Sequence, residues 1–387
     1  MNVIYVDNNA TTKVANDVVE AMLPFFTNFY GNPSSVHNYG EIVSDRMNQA
    51  REQVASFLGA QTDEIVFTSC GSESNNTAIM SVINSNPDKK HIITTAVEHP
   101  AVLNLCDYLS KNGYKKTILP VDKDGRLDLQ QLEDSICDDT CIVSIMWANN
   151  ETGIIFPVEK ISDITKNRGV LFHCDAVQAA GKIPIDLSKI PIDYLSISGH
   201  KLHAPKGVGV LFVRKGIELN PLIIGGHQEK GRRAGTENTP YIVGLGKACE
   251  LAAVYLDYYN TKVKNMRDKL EWSILKHIPN TTINGQNSHR IPNTSNIIFH
   301  NVEGEAILLH LNEFNIAAST GSACASGLME PSHVLLAMGI SEKDAHSAVR
   351  FSLSRFNNDR DINLILEHLP SIIKKLRQIS PFKESFG

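Results

Sequence analysis

Short apolar runs of strand length alternate with segments of helical periodicity between residues 65 and 213, and this alternation restricts the possible folds more than any other feature of the sequence. Strands are predicted at residues 65–68, 91–95, 116–119, 141–146, 170–174, 193–197 and 208–213. Helices are predicted between them, at residues 77–83, 102–110, 128–136 and 158–167. This order indicates a mainly parallel seven-stranded sheet with helices on both faces.

The chain leaves this pattern after residue 213 and continues as a smaller α+β unit. Helical periodicity runs from residue 241 to about 278, and it is followed by predicted strands at 294–299 and 348–353 and predicted helices at 303–313, 332–338 and 362–377. Two more helices are predicted ahead of the sheet, at 17–26 and 42–58. We expect a large domain at residues 16–256 and a small C-terminal domain at 257–387, with residues 1–15 packing on the small domain.

Polar side chains follow five of the predicted strands, at the point where each strand ends. They are Ser72, His99, Asn150, Asp175 with Gln178, and Ser198 with His200 and Lys201. The carboxyl ends of parallel strands meet at one edge of a sheet, and open α/β sheets bind their ligands there. The sequence therefore predicts a single binding site at this edge.

Three of these residues have both a chemical and a purely structural interpretation. Lys201 lies among small residues, where a desolvated amine would form a Schiff base with a carbonyl compound, although most lysines are simply solvated. Ser72 would either help to bind a phosphate at a helix N-terminus or act as the N-cap of that helix. Asp175 has the usual alternative of an N-cap. Their shared edge of the sheet favours the chemical interpretation.

The small domain contributes two more candidate residues. Residues 318–327 are mostly Gly, Ala or Ser, so the thiol of Cys324 among them would be accessible to a substrate. The alternative is an incidental thiol at the start of a helix of small residues. Arg350 lies in a mostly apolar strand and requires a partner, which is either the carboxylate of a substrate or an internal Asp or Glu.

Two loops are unusually polar or rich in glycine. Residues 7–12 read Asp-Asn-Asn-Ala-Thr-Thr, and Asn8 and Asn9 are therefore either turn residues or ligand contacts. Residues 225–238 combine glycines with the basic pair Arg232 and Arg233. That composition is typical of a mobile surface loop or of an anion-binding or intersubunit loop.

Composition and charge argue against several classes of protein. The net charge is −5, from 37 basic and 42 acidic residues without long blocks of one sign, so nucleic acid is not an expected partner. No apolar run approaches the roughly 18 residues that span a bilayer, and no signal peptide opens the chain, so we expect a cytoplasmic protein without a membrane partner. Seven cysteines at irregular spacing do not form a disulfide framework. His200, His203 and Cys174 are separated by a lysine and apolar residues, which favours a site without a metal.

Taken together, these motifs resemble the cysteine desulfurases, within the class V aminotransferase-like, fold-type I enzymes that use pyridoxal 5'-phosphate. The matching motifs run in family order along nearly the whole chain, at residues 7–12, 31–35, 98–100, 149–151, 175–178, 198–201, 233–236, 322–324 and 350–353. Residues 146–153 and 226–229 look most like the NifS subgroup, which serves nitrogen fixation. The resemblance implies a large domain with a mainly parallel seven-stranded sheet and a smaller α+β domain.

The resemblance also implies a role for each candidate residue. Lys201 would carry the cofactor and move protons, Asp175 would pair with the nitrogen of its ring, and His99 would stack on the ring. Cys324 would be the third catalytic residue besides Lys201 and His99. It would attack the substrate sulfur and become a persulfide. The remaining contacts to the cofactor would come from Gly71, Ser72, Asn150, Gln178, Ser198, His200 and, from a second subunit, Thr236. The substrate would be bound by Asn8, Asn150 and Arg350.

The implied function is conversion of L-cysteine to L-alanine, with the sulfur passed as an enzyme-bound persulfide to iron–sulfur cluster assembly, nitrogenase clusters included. We expect a homodimer with pyridoxal phosphate as its cofactor, a NifU-type scaffold protein as sulfur acceptor, and contact of Cys324 with a cluster iron during transfer. Another fold-type I lyase, such as a selenocysteine lyase, or an aminotransferase would share all features but the need for Cys324. A non-catalytic assembly scaffold would have lost Lys201 or Asp175, and both are present.

Overall fold

A seven-stranded mixed sheet forms the centre of the computed structural model, which describes residues 3–320 and 330–380. After a short strand β1 (Ile4–Tyr5), the strands of this sheet are β2 (Ile65–Thr68), β3 (His91–Thr95), β4 (Lys115–Leu119), β5 (Thr140–Ser144), β6 (Leu171–Asp175), β7 (Tyr194–Ser198) and β8 (Gly209–Val213). Their spatial order is β2-β8-β7-β6-β5-β3-β4. Strand β8 is antiparallel to both of its neighbours and the other pairs are parallel. The prediction of a mainly parallel seven-stranded sheet is confirmed.

Helices and loops bury both faces of the sheet. The helices are α1 (Asn16–Met22), α2 (Pro24–Thr27), α3 (Asn38–Leu58), α4 (Gly71–Ser85), α5 (Pro100–Lys111), α6 (Leu129–Ser135), α7 (Val158–Asn167) and α8 (Thr239–Val254). In β2, Ile65 and Phe67 belong to one apolar core and Val66 to another, as expected when alternate side chains point to opposite faces. Helix α3 ends where the sequence predicts, because Gly59 adopts the left-handed conformation that closes a helix.

Helix α4 begins at Gly71 rather than at the predicted residue 77. The composition of the polar run that follows β2 predicts a turn, but this run forms the first turns of the helix. Cys70 acts as the N-cap, and its thiol accepts a hydrogen bond from the N–H of Glu73. The polar side chains of this run are therefore carried by a helix that starts directly at the end of a strand.

The helical stretch predicted from residue 241 to about 278 is divided into several pieces. Helix α8 is followed by α9 (Leu256–Tyr258), a π-helical turn at Tyr259–Val263 and α10 (Lys264–His277). Tyr259 and Val263 are both buried in the π turn. Because the buried face continues across the interruption, apolar periodicity alone does not reveal it. No helix in the described part of the chain is both long enough and apolar enough to cross a membrane.

A second core is formed by α10 and by elements that follow it in the chain. The elements after α10 are β9 (Thr281–Ile283), β10 (Thr294–Phe299), α11 (Gly304–Glu313), β11 (Ile316–Ala317), α12 (His333–Ala337), α13 (Glu342–His346), β12 (Ala348–Ser352) and α14 (Asp359–Ile379). The buried side chains of α12 and α13 instead pack in the core of the large sheet. The three strands β12-β10-β9 form an antiparallel sheet, and β11 pairs in parallel with β1. The apolar side chains of Ile297 and Phe351 pack in the second core together with Val6 from the start of the chain.

The N-terminal segment connects the smaller core to the large sheet. The backbone N–H of Asn8 donates to the carbonyl of Ser352 in β12 at 3.1 Å. Four residues later, the N–H of Thr12 donates to the carbonyl of His200 at 3.0 Å. Residues 7–12 therefore lie between β12 and the turn that contains Lys201.

Candidate active site

A cavity of about 600 Å³ lies at the C-terminal ends of β3, β5, β6 and β7. This volume is within the range of roughly 300–1,000 Å³ that is typical of small-molecule sites. Ten residues of the predicted site line the cavity: Gly71, Ser72, His99, Asn150, Asp175, Gln178, Ser198, His200, Lys201 and Arg350. The structure thus brings together residues that are spread over most of the chain.

Three predicted site residues are not among those that line the cavity. The side-chain amide of Asn8 is turned away and donates to backbone carbonyls, that of Ser352 at 2.9 Å. Its neighbour Asn9 lines the cavity instead, within the turn at residues 8–10. Thr236 is exposed and lies outside the cavity wall. Cys324 lies outside the described residues.

Lys201 presents its amine to the cavity rather than to bulk solvent. It occupies a single 3₁₀ turn, Gly199–Lys201, that follows β7 directly. Its Nζ donates to the carbonyl of Asn9 at 2.5 Å and to that of Ala10 at 2.6 Å. Burial, and after it the charge of Arg350, lowers the pKa of this amine to about 8. Part of the amine is therefore uncharged near neutral pH, as a nucleophilic lysine requires.

Asp175 ends β6 with its carboxylate at the cavity. Oδ1 accepts from the N–H of Val177 at 3.0 Å, and Oδ2 accepts from Nδ2 of Asn75 at 2.7 Å. Residues 177–182 form turns, so Asp175 is not the N-cap of an α-helix. Sequence reasoning missed Asn75, which is buried and fixes the carboxylate from the side of α4. The available signal was its spacing of four residues from Gly71, which places both residues on one face of that helix.

The first turn of α4 approaches the opposite wall of the cavity closely. A Cβ atom on Gly71 would lie 2.8 Å from Cγ2 of Val177, so this position requires glycine. The N–H groups of the first turn have no partners within the helix, and the helix dipole favours an anion near them. Glu73 lies in this turn, but its carboxylate pairs with Arg233 at 2.9 Å. Burial opposes ionisation of Glu73, and the hydrogen bonds from Arg233 and Ser69 nevertheless hold its pKa below the usual value.

His99 caps α5 and contributes a flat ring to the cavity. Its Nδ1 accepts from the backbone N–H of Ala101 at 3.1 Å, which assigns the ring hydrogen to Nε2. Burial lowers the pKa of the ring against the opposing charge of Asp175, and the charge of Lys201 lowers it further. The imidazole is therefore neutral at neutral pH.

The carboxyl group of Glu98 is fully buried beside His99. Its Oε1 accepts from the hydroxyl of Thr95 at 2.7 Å and from the N–H of Met146 at 3.0 Å. Its Oε2 has no hydrogen-bond partner within the described residues. Burial raises the pKa of this carboxyl group to about 8, so Glu98 carries a proton at neutral pH.

Replacing Glu98 by glutamine is expected to make the protein more stable in alkaline solution. Because the folded-state pKa lies above the unfolded value, the stability that the protonated group contributes is fully present below the unfolded pKa and is lost as the pH rises through about 8. Glutamine imitates the protonated carboxyl group at every pH. Thermal unfolding should show a gain on the order of 3 kcal/mol for Glu98→Gln at about pH 9 and little difference at about pH 5.

The exposed residue Glu305 provides a control for that measurement. The variant Glu305→Gln should keep the pH profile of the unmodified protein, because Glu305 is exposed in the first turn of α11 and makes no contact with the buried carboxyl group of Glu98. Parallel pH profiles for the unmodified protein and Glu98→Gln would show that Glu98 is ionised in the folded state.

Arg350 has an internal carboxylate as its partner and also borders the cavity. Its side chain is 2% exposed. Nη2 donates to Oδ1 of Asp7 at 2.8 Å, and Nη1 donates to the carbonyl of Asn150 at 3.0 Å. The two alternatives that the sequence leaves open are therefore compatible, since Asp7 fixes the guanidinium at a place where it can also attract an anionic ligand.

The glycine-rich loop at residues 225–238 is anchored to the large sheet. Glu229 accepts two hydrogen bonds from Arg51, at 2.6 and 2.9 Å, and a third from the N–H of Phe67 in β2 at 3.0 Å. Arg232 donates to the carbonyls of Asp63 and Ile65. These contacts favour an ordered loop over a mobile one.

The segment 321–329, which contains Cys324, is followed by residues that border the cavity and is preceded by residues that pair with a strand of the cavity wall. On one side, the backbone of Ser319 pairs with that of Arg350. On the other side, the hydroxyl of Ser332 donates to Oε2 of Glu151 at 2.5 Å, so the chain is fixed to the large sheet as it enters α12. Three residues of this stretch line the cavity and were not predicted from the sequence: Glu330, Pro331 and His333.

The described cysteines are not arranged as a metal site. Six free thiols occur in the described ranges, and within those ranges no group of three His, Cys, Asp or Glu side chains is placed to bind a metal ion. Cys174 is buried beside Asp175, and burial raises the pKa of its thiol well above the usual value. A thiol of this kind is unreactive.

Proteins of similar sequence and structure are known. The profile of the class-V aminotransferases matches residues 4–365. The chain is 55% identical to a cysteine desulfurase of Nostoc sp. and 54% identical to the cysteine desulfurase NifS of Azotobacter vinelandii, in each case over 99% of this chain and 96% of the relative. The solved structure of a NifS-like protein matches with a TM-score of 0.91 at 40% identity, over 97% of this chain and 100% of that one.

Proposed function

We propose that this chain, which belongs to the class-V aminotransferase family and is a cysteine desulfurase, holds pyridoxal phosphate at Lys201 and transfers the sulfur of L-cysteine to Cys324. One observation carries the proposal: Lys201, Asp175 and His99 converge on a single cavity together with the first turn of α4. An amine, a carboxylate, a flat ring and an anion-binding helix end are the groups that this cofactor requires.

The cavity residues fit the cofactor group by group. Lys201 offers a partly uncharged amine to the aldehyde, and Asp175 offers a carboxylate to the ring nitrogen. The oxygen Oδ1 of Asn75 is buried without a partner in the described ranges, so this wall of the cavity retains a polar atom for a ligand. The phosphate would be held by Gly71, Ser72, Ser198 and His200. When bound, the cofactor supplies an electron-poor ring that accepts the electron pair released at the substrate carbons.

The substrate carboxylate would bind to Arg350. A planar guanidinium binds a carboxylate through two parallel hydrogen bonds, and Asp7 with the carbonyl of Asn150 already fixes the plane of this one. Asn150 and Gln178 line the same cavity. Asn8 is replaced by Asn9 in this role, because only Asn9 lines the cavity.

Cys324 lies outside the described residues, so its assignment as the sulfur acceptor rests on its position in the sequence. It is four residues after Thr320 and six residues before the cavity residue Glu330. Six residues of extended chain span at most roughly 21 Å. The proposal requires the thiol to enter the cavity, and this separation from Glu330 is compatible with that.

In the proposed reaction, the sulfur of the substrate cysteine is transferred to the thiol of Cys324. The thiolate of Cys324 attacks the sulfur of cysteine, so an S–S bond forms while the C–S bond of the substrate breaks and leaves its electron pair on carbon. Lys201 delivers a proton to that carbon, which becomes the methyl group of alanine. The products are alanine and a persulfide on Cys324.

We also propose a cytoplasmic homodimer that supplies sulfur to iron–sulfur cluster assembly, with a NifU-type scaffold as the acceptor. An open groove adjoins the cavity, shares Ser72 and His99 with it, and is bordered by the exposed side chains of Tyr108 and Leu222. A second copy of the chain placed on this groove would cover those side chains and could bring its own Thr236 to the phosphate. The division into domains at residues 16–256 and 257–387, with residues 1–15 packed on the small domain, belongs to the same proposal. It is supported by the pairing of β1 with β11 and by the packing of Tyr259 and Val263 in the second core.

Tracing the sulfur of labelled L-cysteine tests the proposed function. We expect equal amounts of free alanine and protein-bound labelled sulfur, with the bound label released by a thiol reductant and passed to a NifU-type scaffold protein. Transfer of the amino group to a keto acid in place of alanine formation would identify an aminotransferase. Alanine formed from selenocysteine but not from cysteine would identify a selenocysteine lyase. If no reaction occurs, the remaining hypothesis is that the chain is a non-catalytic assembly scaffold.

A further inference from the structure

Lys182 is a buried lysine that the proposed mechanism does not use. It lies in the turns that follow β6, and only 3% of its surface is exposed. Its Nζ donates to Oε1 of Gln178 at 2.6 Å. Burial, followed by the charges of Lys201 and Arg350, lowers the pKa of this amine well below its ordinary value. Burying an amine costs free energy unless its hydrogen bonds are satisfied, so its partner matters.

The Gln178 amide is held from two sides that specify the same orientation. On one side, its Nε2 donates to the carbonyl of Asn9 at 3.0 Å, and a carbonyl oxygen can only accept. On the other side, its Oε1 requires a donor, which is Lys182. The Asn9 carbonyl also accepts from Nζ of Lys201, so the two lysines are linked through three hydrogen bonds. With Asn9 accepting one of the two NH₂ hydrogens, the other remains available to a group in the cavity that Gln178 lines.

We propose that Lys182 is a positioning residue for the cofactor. Its amine holds the Gln178 amide with the oxygen turned away from the cavity and the NH₂ group facing the cavity. The inference rests on the proposed function, in which Gln178 is one of the residues that contact pyridoxal phosphate; its NH₂ group would donate to the phenolic oxygen of the cofactor. Without the Lys182 amine, the Gln178 oxygen would be buried without a donor. The amide would then turn to find one, and the NH₂ group would leave its place.

The test measures the dissociation constant of pyridoxal phosphate from apoenzyme prepared from the holoenzyme. Lys182→Met keeps the length of the side chain and removes the donor, and it should weaken binding by about fivefold to tenfold, the value of roughly one hydrogen bond. Gln178→Leu should weaken binding by at least as much. Because Lys182 acts through Gln178, the double variant should bind no more weakly than Gln178→Leu alone. Unchanged affinity in Lys182→Met, or multiplied losses in the double variant, would overturn the inference.

A second variant covers the case in which Lys182→Met fails to fold. Gln178→Glu keeps an acceptor for Lys182 but replaces the NH₂ group by an oxygen, and it should reproduce the loss of affinity seen in Gln178→Leu. An affinity equal to that of the unmodified protein would refute the assigned orientation of the amide.

Asn260 provides the matched structural control. Its amide donates to the backbone carbonyl of Lys182 at 3.1 Å without contacting the amine, so Asn260→Ala loosens the same turn and leaves the Gln178 contact in place. We expect no change in the dissociation constant, and a loss equal to that of Lys182→Met would assign the effect to the turn instead.

If the unmodified apoenzyme does not bind pyridoxal phosphate, the proposed function itself fails. If it binds and the variants match it, only the role of Lys182 fails.

Discussion

Replacing Cys324 by alanine is expected to stop the formation of alanine and bound persulfide from L-cysteine, with a fall in rate of at least about a thousandfold. The thiolate of Cys324 is the proposed acceptor of the sulfur. Cys70 also lines the cavity, but its thiol accepts the hydrogen bond from Glu73 that caps α4. Binding of pyridoxal phosphate should remain, because the residues assigned to it lie on the large sheet. Alanine release and protein-bound sulfur, measured in the same reaction, check the result.

Cys137 offers a matched control for this variant, since its thiol is exposed and lies outside the cavity wall. Cys137→Ala should retain both alanine release and bound sulfur. If Cys324→Ala still forms alanine and persulfide at the normal rate, sulfur transfer to Cys324 is not the mechanism and the chain acts as another kind of lyase.

Replacing Lys201 by alanine is expected to have an effect of similar size but of a different kind. The amine that anchors the cofactor and delivers a proton to the substrate is lost, so the activity should fall by at least about a thousandfold. Unlike Cys324→Ala, this variant should also lose the visible absorption band of a lysine-bound cofactor. Absorption spectra and alanine release from one preparation separate the two variants.

The control for Lys201 is Lys206, which is exposed in the following turn. Lys206→Ala should keep the absorption band and the activity, because its amine lies outside the cavity wall. A Lys201→Ala protein that keeps the band of the unmodified protein would refute the assignment of Lys201, and with it the proposed enzyme mechanism.

The sheet and the edge that carries the site could be predicted because they follow from local rules. The apolar runs that become β5 and β7 are short and end in polar turns, so both their strand character and the position of Lys201 after β7 can be inferred from the sequence. The glycine that ends α3 is a similarly local signal. The role of Gly59 as a helix end can be inferred without knowledge of the tertiary structure.

The polar residues that support the site from behind could not be predicted in the same way. Asn75, Glu98 and Lys182 are nearly or fully buried, but by residue type each would ordinarily be placed on the surface. What makes their burial tolerable is a partner distant in sequence, such as Asp175 for Asn75. The spacing of Asn75 from Gly71 places both residues on one face of α4, but only the folded chain reveals that Asp175 is the partner of Asn75.

Two further differences have equally physical causes. Asn8 and Asn9 are equivalent in residue type, and only the path of the backbone across the sheet edge decides that Asn9 is the one that lines the cavity. The sequence leaves the partner of Arg350 open between a ligand and an internal carboxylate, because Asp7 lies too far away along the chain for any spacing rule to join them.

The carbonyl oxygen of Asn9, which accepts hydrogen bonds from both Lys201 and Gln178, belongs to the backbone and not to a side chain. Saturation mutagenesis at this position would alter only the amide that donates to Thr294 and to the carbonyl of Asn150, while every one of the encoded variants would retain the oxygen. A scan would therefore report only the contribution of the side chain at position 9, although the site also depends on this backbone oxygen. Ester substitution of the backbone, introduced by chemical synthesis or by an expanded genetic code, weakens that oxygen as an acceptor and would reveal the dependence.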